Sequence, residues 1–424
     1  MVTRVADSIA LHRTALGILS LIPAGSLWLA GRVGVGMVGD SFPYAAAAAN
    51  LSPVLLAGSP VNTFLESVPG FVHWPIGYPI WLSVGTASGL PTAMWSLVSN
   101  AILACVLVLL TFFIARTCRL GPWASLAAAS FVAFSPAVIE VAWRMQSEAL
   151  FSVLYAGVIL FLTRTIRYGS LTWFSVGAVS LFSSGAYLVR YMGLFLVPVV
   201  FVASAILVMQ TRTRTQVLKV SVMMLGSCLG IFFQGLRNVA QGSDFLYSYS
   251  TTLRFLPGEL VGQAFPWVGS YWWPQRLPLA SLAVSALVIT LVLVATLKAV
   301  RLRELSVIFV AVAWMVFWSL LLVSIYLRPV SPVDWRLIHP ALPLVSVLVV
   351  VGWMNLREIG RGKQRNNDSS TLAHPRWIAS APVSTGVYAL LLLVMIARLS
   401  IQISDPMGAG ATQVVPWTWS SPSN

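Results

Sequence analysis

The chain has 424 residues, of which 58% are hydrophobic and only 9% are charged, and its mean hydropathy is +0.85. A soluble domain cannot bury this much apolar surface, so the composition excludes a soluble globular protein and predicts a polytopic membrane protein. The formal net charge is +14, but the basic residues occur as short clusters between apolar runs. That pattern is typical of membrane topology and argues against nucleic acid as a partner.

Apolar runs of about 20 residues, the length needed to span a bilayer, recur along the whole chain. They begin near residues 14, 92, 121, 148, 171, 191, 219, 278, 305, 338 and 378. We therefore predict an all-α transmembrane bundle of about 11 helices, formed by one integral-membrane domain over residues 1–424. The apolar stretch 76–90 is short and broken by Pro79 and Gly85, so we predict an interfacial helix there.

The basic residues also predict the orientation of the bundle. With the amino terminus in the cytoplasm, most Lys and Arg residues, including all three lysines, fall on cytoplasmic loops, as the positive-inside rule requires. The extracytoplasmic side then holds a first loop, 37–91, a second loop, 234–277, and an outer carboxyl tail, 401–424. The basic loop 357–376 lies in the cytoplasm. The sequence thus predicts a multi-pass protein of the cell membrane.

One acid at the start of the first outer loop is a strong functional candidate. Asp40 directly follows the first apolar segment, and residues 37–77 contain no Lys or Arg. An acid at a membrane is costly unless it has a partner or a function, which favours a functional role over a helix or turn cap. Tyr44 lies one helical turn later. It either orients this acid or contacts substrate, or else it is an interfacial anchor.

Several further charged residues lie near predicted outer helix ends. Glu140 and Glu148 bracket Arg144 at spacings of four residues, which fits an ion-paired helix end. The alternative is that Arg144 has a functional role and Glu148 supports the site or binds a metal. Arg190 separates two apolar runs and has no acid near it in sequence. It is either a snorkelling side chain or a functional cation.

Two histidines complete the set of candidates. His339 can share one helix face with Arg336, and it either joins a functional site there or pairs locally. His73 lies beside Trp74 and Pro75 in an aromatic loop, where it could meet an acceptor, although a lone histidine in such a loop is usually structural.

Four segments resemble, in their order and spacing, the GT-C superfamily of polytopic glycosyltransferases, which includes the protein O-mannosyltransferases and the lipid A aminoarabinose transferases. The segments are Gly39–Tyr44, His73–Pro79, Trp143–Glu148 and Asp334–Pro343. In the second segment, Ile76 replaces one of the paired prolines that the family carries before Gly-Tyr-Pro. The chain also lacks the large outer domain that those branches usually add, so the resemblance does not select a branch.

The resemblance implies transfer of a sugar from a polyprenyl-phosphate donor to a hydroxyl of a lipid, glycan or protein acceptor, with inversion, at the extracytoplasmic face. The residues it implies are Asp40 as base, Arg144, Arg190 and Arg336 on the donor phosphate, and Tyr44, His73, Tyr78, Glu148 and His339 at the substrate or in its support. The resemblance implies no cofactor with certainty, but a divalent cation held by Asp40 and Glu148 stays open, because some relatives of the superfamily use one.

Two other classes of function stay open. A membrane transporter or lipid flippase also needs charges that face a cavity, but such proteins usually show repeated halves and helices broken near the midplane. Here the predicted charges gather at one face and the sequence shows no internal repeat. A noncatalytic scaffold that binds a lipid carrier is the third possibility.

Overall fold

The computed structural model describes residues 2–56, 74–245, 268, 278–327, 335–362, 413–416 and 418–419. Within this part of the chain the structure is almost entirely helical. In chain order the helices are α1 (Val2–Ala30), α2 (Ser41–Leu56), α3 (Gly77–Ala87), α4 (Thr92–Thr117), α5 (Pro122–Ala133), α6 (Pro136–Trp143), α7 (Glu148–Tyr168), α8 (Trp173–Val189), α9 (Leu196–Thr211), α10 (Arg214–Ala240), α11 (Pro278–Leu302), α12 (Leu305–Leu327), α13 (Trp335–Ile338) and α14 (Leu342–Gly362). Two short strands, β1 (Val35–Met37) and β2 (Gln413–Val415), form one antiparallel pair.

Among the described residues, eight helices are long and apolar enough to cross a membrane: α1, α4, α7, α9, α10, α11, α12 and α14. α5 and α6 together make one further span, bent by 47°, and α8 is a shorter apolar helix. These ten elements follow the predicted apolar runs in order, and the run near residue 378 lies outside the described residues. The predicted all-α polytopic bundle is therefore confirmed.

The bend between α5 and α6 has a local cause in the sequence. Ser135 precedes Pro136, and the proline ring disfavours helical backbone in the residue before it. Ser135 accordingly has extended backbone (φ −71°, ψ 121°), and Pro136 then begins α6, a position where its missing N–H costs nothing. The bend redirects α6 and thereby sets the position of Arg144, which directly follows this helix.

The most buried spans lie at the centre of the bundle. In α7 and α14, 72% and 83% of the spanning residues are buried, compared with 22% in α10, whose outer face is apolar. Lipid is as apolar as these side chains, so close packing rather than the hydrophobic effect holds such helices together. At Gly352 of α14 an added Cβ would collide with the carbonyl group of Leu291 on α11. Glycine is required at this crossing.

The first predicted outer loop contains two helices in the described residues. α3 falls within the stretch 76–90, where we predicted an interfacial helix, and α2 follows Asp40 directly. α10 continues to Ala240 and α14 to Gly362, so both helices extend into stretches predicted as the loops 234–277 and 357–376.

Candidate active site at the Asp40 end of the bundle

Hydrogen bonds join the segment before Asp40 to the segment before Glu148. The backbone N–H of Met145 donates to the carbonyl oxygen of Gly36 at 3.0 Å. The Ser41 hydroxyl donates to the carbonyl oxygen of Met145 at 2.8 Å. These groups are buried, where an unmade hydrogen bond is costly, so the contacts fix the two segments against each other. Ser41 and Met145 are more than 100 residues apart in sequence. The two motifs that contain them therefore meet in space.

The carboxyl-terminal strand covers the same region. β2 pairs with β1 so that Val415 lies opposite Val35 and Gln413 opposite Met37. Gly34, directly before β1, has a φ of +117°, and an added Cβ there would collide with the carbonyl oxygen of Val415. Glycine is thus required for two reasons at this position. The described part of the predicted outer tail lies at the Asp40 end of the bundle.

Both candidate carboxylates lie at helix amino termini. The carbonyl oxygen of Asp40 accepts from the N–H of Tyr44 at 3.3 Å, so Asp40 directly precedes α2 and accepts its first backbone hydrogen bond. Glu148 is the first residue of α7. The positive end of the helix dipole favours a negative charge at both positions. Asp40 is half-buried, whereas Glu148 is only 1% exposed, so Asp40 is the more accessible acid.

Arg190 provides the countercharge for Glu148. Arg190 has extended backbone between α8 and the 3-10 helix Tyr191–Phe195, and its Nη1 lies 2.5 Å from Oε1 of Glu148. The N–H is not aligned for a hydrogen bond, so the contact is an ion pair. The same nitrogen donates to the Ser147 hydroxyl at 3.4 Å. An arginine with no acid near it in sequence thus acquires one in the fold.

The phenol of Tyr44 lies where these charged groups converge. Its hydroxyl is hydrogen-bonded to Ser147, and the charges of Arg190, Glu148 and Asp40 all act on it. Burial has the largest effect and raises the pKa of the phenol above its ordinary value; the arginine lowers this pKa, and the two carboxylates raise it. The Tyr44 hydroxyl is therefore neutral at physiological pH and acts through hydrogen bonds.

An aromatic cluster continues from Tyr44. Its ring lies edge-on to the rings of Tyr78 and Trp74, with centroids 5.0 and 6.3 Å away. The Tyr78 hydroxyl lies 3.4 Å from Oγ of Ser96, and burial raises the pKa of Tyr78 as well. The sequence reasoning placed Tyr78 in the site but did not select Trp74, although Trp74 stands in the second of the motif segments.

Arg144 has an ion pair of its own. Its Nη2 lies 2.6 Å from Oε1 of Glu140, and both side chains are about nine-tenths buried. Its carbonyl oxygen accepts from Nδ2 of Asn100 at 3.0 Å. This geometry fits the alternative of an ion-paired helix end, and the contact of Arg144 with a donor phosphate stays a prediction.

His339 contacts α7 one turn after Glu148. Its Nδ1 lies 2.6 Å from the Ser152 hydroxyl, which itself donates to the carbonyl oxygen of Glu148 at 2.8 Å. Because that serine has one proton to give, His339 donates from Nδ1, and its Nε2 is then a buried acceptor without a partner among the described residues. Arg336 lies in α13 with its side chain outside the described part of the structure, and His73 lies outside the described residues altogether.

Two polar residues that the sequence reasoning did not select lie in the same region. Arg237, near the end of α10, is 1% exposed, and its charge interacts with Tyr191, the residue after Arg190. It carries the same sequence signal as Arg190, a lone arginine near the end of an apolar helix. Gln146 is also buried, and neither of its amide atoms has a hydrogen-bond partner within the described ranges. Such a group at a functional site is expected to meet a ligand or water.

The described residues provide few oxygen ligands for a divalent cation at this site. Calcium and magnesium take six or more oxygen ligands. Asp40 and Glu148 offer two carboxylates, of which Glu148 is already paired with Arg190. No group of three or more His, Cys, Asp or Glu residues that could hold a metal occurs in the part of the chain that the structure describes. We therefore derive no step through a metal.

The fold of the chain is similar to that of solved structures, among them ArnT and an archaeal oligosaccharyltransferase, and this likeness agrees with the resemblance stated from sequence. The chain is similar to ArnT from Cupriavidus metallidurans bound to undecaprenyl phosphate, with a TM-score of 0.54 and 13% identity over 98% of this chain and 74% of ArnT. The apo state of that protein matches with a TM-score of 0.53 and 15% identity over 96% and 75%.

A third similar structure is the Archaeoglobus fulgidus oligosaccharyltransferase tethered with an acceptor peptide containing the NVT sequon. The TM-score is 0.50, with 9% identity over 98% of this chain and 56% of that chain. No protein-family model matches the chain, and no curated protein matches it in sequence. At these identities the comparisons establish a common fold.

Proposed function

We propose that this chain is a glycosyltransferase of the cell membrane that moves a sugar, with inversion, from a polyprenyl-phosphate donor to a hydroxyl group. The observation that carries the proposal is the convergence of Asp40, Glu148 and Arg190 on the phenol of Tyr44, at one end of a bundle with the GT-C fold. The ArnT structure that contains undecaprenyl phosphate supports a polyprenyl-linked donor. A lipid, glycan or protein supplies the acceptor, and the site faces the extracytoplasmic side.

Asp40 is the base of the proposed reaction. The acceptor oxygen attacks the anomeric carbon of the sugar while its proton passes to the carboxylate of Asp40. The bond between that carbon and the phosphate oxygen breaks, and its electron pair stays on the phosphate. The product is polyprenyl phosphate with one more negative charge than in the donor. Of the two acids in the site, Asp40 suits this role because it is the more accessible one.

Arg190 is the arginine best placed to stabilise that growing charge. Its side chain is 18% exposed, compared with 8% for Arg144, whose guanidinium already pairs with Glu140. A guanidinium has five N–H donors in a planar fork. The ion pair between Nη1 and Glu148 therefore orients Arg190 and is compatible with a bidentate contact to phosphate.

The aromatic cluster supplies a surface for the sugar. Tyr44 and Tyr78 are buried, whereas Trp74 is only partly buried and presents the accessible ring of the three. A flat aromatic face stacks on the apolar face of a sugar. We assign Trp74 to sugar binding, with the two tyrosines holding it in place. Arg336, His73 and His339 keep their predicted roles at the donor and substrate.

The test is transfer by the purified protein with Asp40→Asn. Undecaprenyl-phosphate-linked pentoses and hexoses serve as donors, a membrane lipid extract as acceptor, and released undecaprenyl phosphate is measured. We expect the variant to lose about 10²- to 10⁴-fold in rate, with an unchanged melting temperature because Asn also starts helices well. Asp244→Asn is the matched control, because Asp244 is an exposed acid after α10 at the same end of the bundle. Full activity of Asp40→Asn would refute the assignment.

This assay also separates the proposed transferase from the transporter or flippase. A flippase moves the intact donor lipid and leaves its sugar–phosphate bond whole, so no undecaprenyl phosphate accumulates. A noncatalytic scaffold binds the donor without turnover. Release of undecaprenyl phosphate that depends on Asp40 is expected of the transferase alone.

A further inference from the structure

A second polar site lies at the opposite end of the bundle. An open cavity of about 950 Å³ is lined by the end of α4, the turn to α5, the end of α7 and Glu304 in the turn before α12. Glu148 and Arg164 are the first residue of α7 and a residue near its end, and 16 residues of helix separate them by about 24 Å. The cavity is therefore separate from the candidate active site and is not explained by the proposed function.

Among the described residues, four arginines line this cavity and one acid opposes them. The arginines are Arg116, Arg119, Arg164 and Arg167, and the acid is Glu304, so the lining carries a net charge of +3. Like charges this close beside a low-dielectric bilayer repel one another. An anion in the cavity would offset that repulsion. The volume of the cavity is within the range of ligand pockets.

The four arginines differ in how far the fold already uses them. Arg167 donates from Nη1 to the carbonyl oxygens of Arg116 and Thr117, at 2.8 and 3.1 Å, and so caps the end of α4. Arg119 forms an ion pair of 3.1 Å with Glu304. These two side chains have structural contacts that fix the shape of the cavity.

The other two arginines are available to a ligand. Arg116 is exposed and donates from Nη1 to the carbonyl oxygen of Leu120 at 2.6 Å. Arg164 is exposed and has no ion pair or hydrogen bond with any described residue. It lies one helical turn before Arg167, on the same face of α7.

The cavity changes in polarity along the helices. Its apolar wall is formed by Phe113, which is 48% exposed, and by Leu160 and Phe161. These residues lie one turn before the arginines on α4 and α7, which are both membrane spans. The arginines are therefore at the membrane surface, and the apolar wall lies towards the hydrocarbon core. This is the order in which a phospholipid presents its headgroup and acyl chains.

We propose that this cavity binds an anionic membrane phospholipid, with its phosphate held by Arg116 and Arg164 and its acyl chains against Phe113 and Phe161. Basic residues near span ends are common, because topology requires them. Here, however, two spans bring four of them into one cavity with an apolar wall. Basic pockets between spans are known sites for anionic lipid headgroups.

The test is lipid binding by the full-length protein in detergent, measured by native mass spectrometry. Phosphatidylglycerol is the anionic probe, phosphatidylcholine the zwitterionic one and inorganic phosphate the free anion. We expect Arg116→Gln with Arg164→Gln to weaken phosphatidylglycerol binding roughly 30-fold, at about fivefold per arginine. Arg212→Gln with Arg214→Gln is the matched control, because both residues are exposed at the same end of the bundle but outside the cavity.

The same measurement contains the outcomes that would overturn the proposal. These are equal losses in the two double variants, no preference for phosphatidylglycerol over phosphatidylcholine, or full displacement of the lipid by millimolar inorganic phosphate. The last would indicate a site for free anions. If the double glutamine variant folds poorly, Arg116→Lys with Arg164→Lys is used in its place. Retention of most phosphatidylglycerol binding in this lysine variant supports the proposal. Loss of binding with an unchanged melting temperature contradicts the proposal.

Discussion

The ion pair between Arg190 and Glu148 allows a prediction in which stability and activity separate. The two side chains are unequally buried, at 18% and 1% exposure. Arg190→Gln leaves a carboxylate buried without its countercharge, which costs about 3–5 kcal/mol. Glu148→Gln leaves an arginine that can still reach water, so we expect a loss of about 1 kcal/mol. The Arg190→Gln variant should therefore unfold at a clearly lower temperature than the Glu148→Gln variant.

The double variant separates the two roles of Arg190. With both residues changed to Gln neither charge of this pair is left unpaired, so we expect most of the stability to return, as a double-mutant cycle would show. Transfer should not return, because the donor phosphate has lost a bidentate ligand; we expect a deficit of about 10²- to 10³-fold. Melting temperature and release of undecaprenyl phosphate are measured on the same preparations. Recovery of transfer in the double variant would show that Arg190 is only structural.

Three further predictions follow from neighbouring contacts. For the pair Arg144 and Glu140 we expect both stability and transfer to recover in the double Gln variant, in contrast to Arg190 and Glu148, where transfer stays low. A persistent transfer defect would instead support a phosphate contact of Arg144. Tyr44→Phe should lower the rate about 2- to 10-fold by removing one hydrogen bond. Because the pKa of this phenol is raised, the shape of the pH–rate profile should stay the same up to pH values of about 9; loss of an alkaline limb would contradict this. Gly34→Ala should lower the melting temperature, since it combines strained backbone with a collision against β2, whereas Gly39→Ala has open space and should be tolerated; equal melting temperatures would argue against the strand pairing.

The helices could be predicted from sequence because their signal is local. Runs of apolar residues define the spans, and prolines such as Pro136 define their starts. The position of Glu148 at the start of α7 follows from the same patterns, whereas α2, which begins directly after Asp40, lies in the stretch predicted as the first outer loop. This explains why motifs quoted from the sequence coincide with helix ends in the structure.

The contacts that build the site could not be predicted in this way. Arg190 and Glu148 are 42 positions apart, and their pairing depends on how α7 and α8 pack rather than on any spacing in the sequence. The strands β1 and β2 have three residues each, too few to show the alternating pattern of a strand. The arginines of the second cavity lie at separate helix ends in the sequence, and the packing of the helices brings them together.

A count of charges shows what the proposed reaction still needs from the protein. The groups that act on Tyr44 are two carboxylates and one guanidinium, a net charge of −1, and a donor phosphodiester adds another negative charge. Arg190 alone does not neutralise this sum, and the leaving phosphate gains charge as the bond breaks. At least one further cation must therefore approach the donor. We propose two candidates for this cation: Arg336, which the fourth motif predicts at the donor phosphate, and Arg237, whose charge interacts with Tyr191.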